Sequence, residues 1–311
     1  MKQNVKVALI QTSPVLFDRE GTLVKVRNKT EETSAFSPDL ILFPEAFVPA
    51  YPDGLTFGAP VGSRSEEGRE LWLRYWKNSI EIPGPDVEVL SEIARMSGTF
   101  LAIGVIEKEN IGKGSLYCTL LYFGPDGKLL GKHRKIKPTA AERIIWAEGD
   151  GSTLTTLHTE IGVIGGLICW ENYMPLARFA MYQKGVNIYL APTADQRDTW
   201  QATMRHIACE GRCFVLGCNQ YITKDMYPDD LPGIEDLDRQ PHVLSRGGSV
   251  VVDPFGKAIA GPLFDEEGII YAELDMDVLI KAKMDFDPIG HYNRPDIFKY
   301  KARKQPPTIE C

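Results

Sequence analysis

Nowhere in the 311 residues does an apolar run approach the roughly 20 needed to cross a membrane, and the N-terminus lacks the charged-then-apolar layout of a signal peptide. The expectation is a cytoplasmic protein with no membrane partner. Positive charge is also in deficit. Against 42 Asp and Glu there are 35 Lys and Arg, and the net charge of -7 argues against nucleic acid or anionic lipid as a partner. The one basic cluster, Lys299, Lys301, Arg303 and Lys304, reads as part of a solvated C-terminal tail from about residue 297. Cysteine is scarce: Cys118, Cys169, Cys209, Cys213, Cys218 and Cys311 are too few in a chain of this length for a disulfide scaffold, and a reducing compartment keeps them as thiols. Cys209, Cys213 and Cys218 lie close together, but without a Cys-x-x-Cys pair or a matching His pair no metal site is expected. Internal repeats and linkers are absent as well, which predicts one domain over residues 1–311.

What is present is a composition able to bury a large core, with 43% hydrophobic and 25% charged residues. Residues 5–11 read as a strand, 18–35 as a helix and 40–43 as a short strand stopped by Pro44. Helical periodicity returns at 87–96, followed by strand 100–106. Strand 116–123 turns through Gly124-Pro125-Asp126-Gly127 into a partner from Leu129 onward, and Asp253-Pro254-Phe255-Gly256 marks a second hairpin. Between them the apolar run 161–168 reads as a buried strand, followed by helix 176–184, strand 187–190 and helix 197–210. Helices alternating with parallel-type strands and hairpins predict an α/β architecture with helices layered over mixed sheets. Two polar stretches, 53–67 and 225–246, read as surface excursions.

Three of the strand ends carry one reactive group each. Cys169 ends the 161–168 run at a strand-to-helix turn, the geometry of a nucleophile elbow. Glu45 follows Phe43-Pro44, where a carboxylate gains nothing from packing. Lys135 leaves the strand that begins at Leu129. Taken singly, these are a packing cysteine and two solvated charges. Gathered at one sheet edge, they are a nucleophile, a proton acceptor and a cation able to hold Cys169 ionised and to neutralise charge on substrate. A Cys–His pair drawn from His133 or His206 is the rival, disfavoured because His206 lies in a helix where a packed, hydrogen-bonded histidine is the commoner outcome. His291 reads as structural.

The segments Phe43-Pro44-Glu45, His133-Arg134-Lys135-Ile136-Lys137-Pro138-Thr139 with Glu142, Arg143 and Trp146, and Cys169-Trp170-Glu171-Asn172 resemble the nitrilase superfamily signature over residues 5–298. Glu148-Gly149-Asp150-Gly151, Ala191-Pro192-Thr193-Ala194-Asp195, Met204-Arg205-His206-Ile207-Ala208 and Gly290-His291-Tyr292-Asn293-Arg294-Pro295-Asp296 are similar to its nitrilase branch. Amidase relatives more often carry Tyr and Asp where this chain has Trp170 and Glu171.

The resemblance implies a four-layer αββα sandwich and a cofactor-free, metal-free nitrile hydrolase. It casts Cys169 as nucleophile, Glu45 as general base, Lys135 as stabiliser of the tetrahedral intermediate and Glu142 as its second glutamate. The backbone N–H of Trp170 would complete the oxyanion site, with Trp170, Tyr51, Trp146 and Pro192 bordering the substrate. An amidase or carbamoylase is the alternative, and a non-catalytic binding module a more distant one. The family pairs its helical layers, implying a homodimer or short homo-oligomer with Met174, Leu176 and Phe179 at or near the contact. Residues 191–201 and 210–216 resemble plant-type nitrilases and their bacterial relatives, implying arylalkyl or aliphatic nitriles, cyanoalanine included.

Overall fold

In the first strand, β1 (Asn4–Gln11), alternate residues serve two different cores: Val7 and Leu9 face one, Ala8 and Ile10 the other. A strand buried on both faces carries a nearly continuous apolar run, because successive side chains point to opposite sides. The computed structural model describes residues 2–109 and 114–302. The first half of the chain continues through α1 (Arg19–Glu32), β2 (Leu40–Leu42), α2 (Glu66–Asn78), α3 (Pro85–Ser97), β3 (Phe100–Lys108), β4 (Leu116–Phe123) and β5 (Leu129–Arg134). The second half contributes β6 (Thr156–Thr159), β7 (Gly162–Gly166), α4 (Pro175–Gln183), β8 (Ile188–Pro192), α5 (Asp198–Gly211), β9 (Phe214–Cys218), β10 (Tyr221–Thr223), β11 (Val243–Val252), β12 (Ala258–Phe264), β13 (Gly268–Asp275) and α6 (Asp277–Lys283).

One sheet runs β13-β1-β2-β3-β4-β5 and the other β10-β11-β9-β8-β7-β6, with β12 paired to β11. Val7, Leu42 and Ile106 of the first sheet pack against Ile164, Leu190 and Phe214 of the second. On its outer face the first sheet takes Leu23 and Val26 of α1 and Leu90 and Ile93 of α3. The second takes Met181 of α4 and Trp200, Met204 and Ile207 of α5. The order is helix, sheet, sheet, helix, as expected for the αββα sandwich.

Local chemistry sets the element ends. Asp18 caps α1, its carboxylate accepting Gly21 N–H at 3.0 Å, so the helix starts one residue later than its sequence pattern. Gly98, at φ 63°, ends α3 in the left-handed conformation. Three differences from the sequence reading stand out. Residue 65 closes the first excursion by capping α2, a helix the sequence reading omitted. The second excursion is not a purely surface feature, since it buries Tyr227, Leu231 and Leu237, and its last residues already belong to β11. Its Asp236 accepts Thr56 N–H at 2.8 Å, joining it to the first excursion. His206 is exposed beside Glu210 rather than packed in a core. Of the basic tail, Arg303 and Lys304 lie outside the described residues. Among the described residues, no helix is long and apolar enough to cross a membrane.

Candidate active site

Each strand that carries a reactive group ends at a tight backbone feature. Cys169 follows β7 at φ 49°, a conformation uncommon for a residue with a Cβ, in a 3-10 turn spanning Cys169–Tyr173. Asn172 holds the turn by donating to Cys169 O at 2.8 Å and Leu167 O at 3.0 Å, while its own Oδ1 accepts Tyr189 O–H at 2.8 Å. Glu45 lies just past β2, with Ala46 at φ 49° behind it. Lys135 is the first residue after β5, and its N–H donates to Cys118 O at 2.8 Å.

These ends converge. Lys135 Nζ donates to Glu45 Oε1 at 2.6 Å and to Glu142 Oε2 at 2.7 Å, with Lys135 and Glu45 fully buried. Glu45 Oε2 accepts Ala194 N–H at 3.0 Å, and the Cys118 thiol lies 3.6 Å from Oε1. Glu142 is fixed from outside by Tyr51 O–H at 2.9 Å and Thr139 N–H at 2.6 Å. Thr193 Oγ1 donates to Cys169 Sγ at 3.2 Å. Sequence reasoning assigned no role to Thr193, although it lies in the Ala191-Pro192-Thr193 segment.

Burial governs the charges. It pushes Glu45 up to about 7, with Glu142 adding to the rise and Lys135 pulling back. Lys135 stays a cation despite burial, because Glu45 and Glu142 flank it. The Cys169 thiol is pushed well up by burial and then by Glu45, and Lys135 offsets only part of this. That direction works against the expectation that Lys135 holds Cys169 as a thiolate. The shifts of Glu45 and Cys169 both run toward the protonated side chains, so Sγ must give up its proton to attack. A base of this kind works only when ionised. The acid limb of kcat/KM is expected near pH 7, with activity falling as pH falls through that value and Glu45 gains a proton. A kcat/KM profile flat down to the ordinary glutamate range would contradict it.

A cavity of about 330 Å3 lies over Cys169, walled by Tyr51, Thr139, Glu142, Trp170, Asp195 and Arg197 among others. Trp170 Nε1 donates to Asp195 Oδ2 at 2.9 Å while the Arg197 guanidinium covers its ring at 4.7 Å, so the indole is fixed at the mouth. Trp146 lies behind Tyr51, edge-on at 5.8 Å, and lines a smaller adjoining pocket. Pro192 is buried in β8 and is not among the cavity's walls, contrary to expectation. Thr193, the first residue after β8, is the one that reaches Cys169. The histidines do not supply a Cys–His pair: both ring nitrogens of His133 are engaged by Glu171 and Thr153 O. A groove of about 470 Å3 between the ends of α1 and α3 is larger but has no thiol or lysine in its walls.

The chain is 49% identical to an aliphatic nitrilase of Sinorhizobium fredii, over 97% of this chain and 96% of that protein. It is 46% identical to a nitrilase of Bradyrhizobium diazoefficiens, covering 97% and 92% of the two chains. With nitrilase 3 of Arabidopsis thaliana the identity is 45%, covering 97% and 88%. A crystal structure of a Helicobacter pylori carbon-nitrogen hydrolase superposes with a TM-score of 0.74 at 21% identity, covering 95% of this chain and 97% of that one, and so shares the fold. Residues 6–284 match the carbon-nitrogen hydrolase family, to which this chain belongs.

Proposed function

We propose that the protein hydrolyses an organic nitrile to the carboxylic acid and ammonia. One observation carries the reading: a buried thiol, carboxylate and ammonium meet under a cavity, in a chain nearly half identical to an aliphatic nitrilase. In this account Cys169 Sγ adds to the nitrile carbon as Glu45 takes the thiol proton, and that proton ends on the nitrogen, giving a thioimidate. Water activated by Glu45 adds to it, and ammonia leaves from a tetrahedral intermediate whose charge Lys135 and the Trp170 N–H balance. A second water cleaves the thioester and restores the thiol. Glu142 holds Lys135 on the side opposite Glu45. Ammonia release from nitriles but not from the matched amides is the expected result, and the reverse preference would favour an amidase or carbamoylase. Binding without turnover would favour a non-catalytic module.

The substrate class follows from the walls. Trp170 and Tyr51 offer aromatic surface, and burial of a ring there contributes about 1.5 to 3 kcal/mol. A carbon spacer lets the nitrile carbon reach Cys169 while the ring or chain stays against those walls. The expected kcat/KM is about tenfold higher for 3-phenylpropionitrile or a medium-chain aliphatic nitrile than for benzonitrile, a difference of about 1.4 kcal/mol. Benzonitrile or free cyanide as the best substrate in a side-by-side assay would contradict this.

We read residues 1–311 as one catalytic domain with a short tail from about 297, working in the cytosol, which suits the free thiols of Cys118, Cys169, Cys209, Cys213 and Cys218. We also propose a homodimer or short homo-oligomer through the α4 face. There Leu176 is 67% exposed, and Phe298 and Ile297 extend the apolar patch at 73% and 58%. Met174 and Phe179 are half-buried, the latter edge-on to Tyr300 at 5.3 Å. Light scattering at micromolar concentration is expected to give at least twice the chain mass, and a strictly monomeric mass would contradict the assembly.

A further inference from the structure

The spacing of Lys135 and Cys169 depends on two chain segments remote in sequence, the end of β5 and the end of β7. These strands belong to different sheets. One carboxylate ties the two ends together. Glu171 Oε1 accepts Ile136 N–H at 2.6 Å, and Oε2 accepts Ile168 N–H at 2.7 Å. Ile136 is the residue after Lys135, and Ile168 is the residue before Cys169. The Glu171 side chain is fully buried, as is that of His133, whose Nε2 lies 2.9 Å from Oε2.

The far side of the ring identifies the charge of His133. Its Nδ1 faces Thr153 O at 2.9 Å, a carbonyl that can only accept. With acceptors on both nitrogens, the ring satisfies both only by donating from both, as imidazolium. Burial opposes that charge, but Glu171 outweighs it and the pKa of His133 is raised. Without His133, Glu171 would be a buried charge between the two segments with only backbone N–H groups to balance it.

We propose that Glu171 and the imidazolium of His133 form a charge-neutral clamp that fixes Lys135 and Cys169 at their working separation. Neither touches Cys169, so both are positioning residues. The clamp rests on the roles given to Lys135 and Cys169 above. It predicts that loosening it slows chemistry more than binding, because the cavity walls Tyr51 and Arg197 are held by other contacts.

The test compares Glu171→Gln, Glu171→Asp and His133→Gln with the wild type. The readouts are kcat and KM on a nitrile, the alkylation rate of Cys169 by iodoacetamide resolved by peptide mass spectrometry, and thermal unfolding. Gln at 171 presents an amide N–H2 toward backbone N–H groups, and Asp is one methylene too short to span both segments. For folded Glu171→Gln, kcat and the Cys169 alkylation rate are each expected to fall by about tenfold or more with KM within about threefold, and Glu171→Asp is expected to be intermediate. Wild-type rates in folded Glu171→Gln would overturn the clamp. If Glu171→Gln does not fold, His133→Gln decides in the same way, and failure of both to fold would overturn positioning in favour of a purely structural role. Alkylation is read independently of nitrile turnover. An inactive wild type would therefore count against the nitrilase reading, whereas unchanged alkylation in the variants would count against the clamp.

Discussion

Cys169→Ala is expected to abolish turnover, because no other described thiol reaches the cavity: Cys118 lies beneath it against Glu45, and Cys209, Cys213 and Cys218 are not among its walls. Glu45→Gln keeps the shape but removes, among the described residues, the only carboxylate with both the thiol and the ammonium beside it, and the expected loss is about 100- to 10,000-fold. Lys135→Ala carries a second penalty. It leaves Glu45 and Glu142 buried without the cation that both contact at under 3 Å, and removing one member of a buried ionic set costs about 3 to 5 kcal/mol. Its activity loss should come with a lower Tm, whereas Cys169→Ala should remain close to wild type in stability. These effects are not additive, since the groups act as a unit, and the double variants should be little worse than the worst single one. A metal chelator should leave activity intact. Substantial ammonia release by Cys169→Ala, or loss of activity on chelation, would contradict the mechanism.

The second large effect is expected from a single methyl group. A Cβ on Gly166 would stand 1.9 Å from Leu190 O and 2.7 Å from Leu190 C. That oxygen belongs to β8, the parallel neighbour in register with Gly166, and it accepts Leu167 N–H at 3.1 Å. Backbone cannot step aside as a side chain can, so Gly166→Ala must part β7 from β8. Overpacking of this kind costs about 1 to 3 kcal/mol, a fall of roughly 2 to 5 °C in Tm for a domain of this size. The strain lies three residues before Cys169, so kcat should fall even where the variant is folded. Gly114→Ala, whose Cβ would meet nothing within 4 Å among the described residues, is the control. An unchanged Tm in Gly166→Ala would show that this close approach is not what fixes the elbow.

The sites were legible where chemistry stood against its background. A carboxylate after Phe43-Pro44, a lysine leaving a strand and a cysteine closing an apolar run each had an ordinary reading alone, and only together did they imply one sheet edge. What stayed hidden depended on contacts between segments far apart in the chain. The pairing of β1 with β13 joins Asn4 to Asp275, a partnership that no local pattern encodes. The helix α2 escaped because its buried face is only Gly68, Leu71 and Tyr75 among charged neighbours. Pro192 was taken for a wall, but it is the buried last residue of β8, and the contact to Cys169 is made by Thr193, just past the strand end. Spacing indicates which charges lie near Cys169 but not how thoroughly burial removes water from them, and burial pushes its thiol up. His133 was weighed as a partner for cysteine, whereas its nitrogens serve Glu171 and the chain itself.

The central claim is that carbon becomes bonded to sulfur at position 169. Enzyme mixed with 3-phenylpropionitrile, quenched in acid within one turnover and digested, can be read by peptide mass spectrometry. The account predicts a thioimidate or acyl adduct on the peptide containing Cys169, absent from Cys169→Ala and formed much more slowly in Glu45→Gln, which lacks the base that takes the thiol proton. Ammonia released with no adduct at any time point, or an adduct on a different residue, would contradict it.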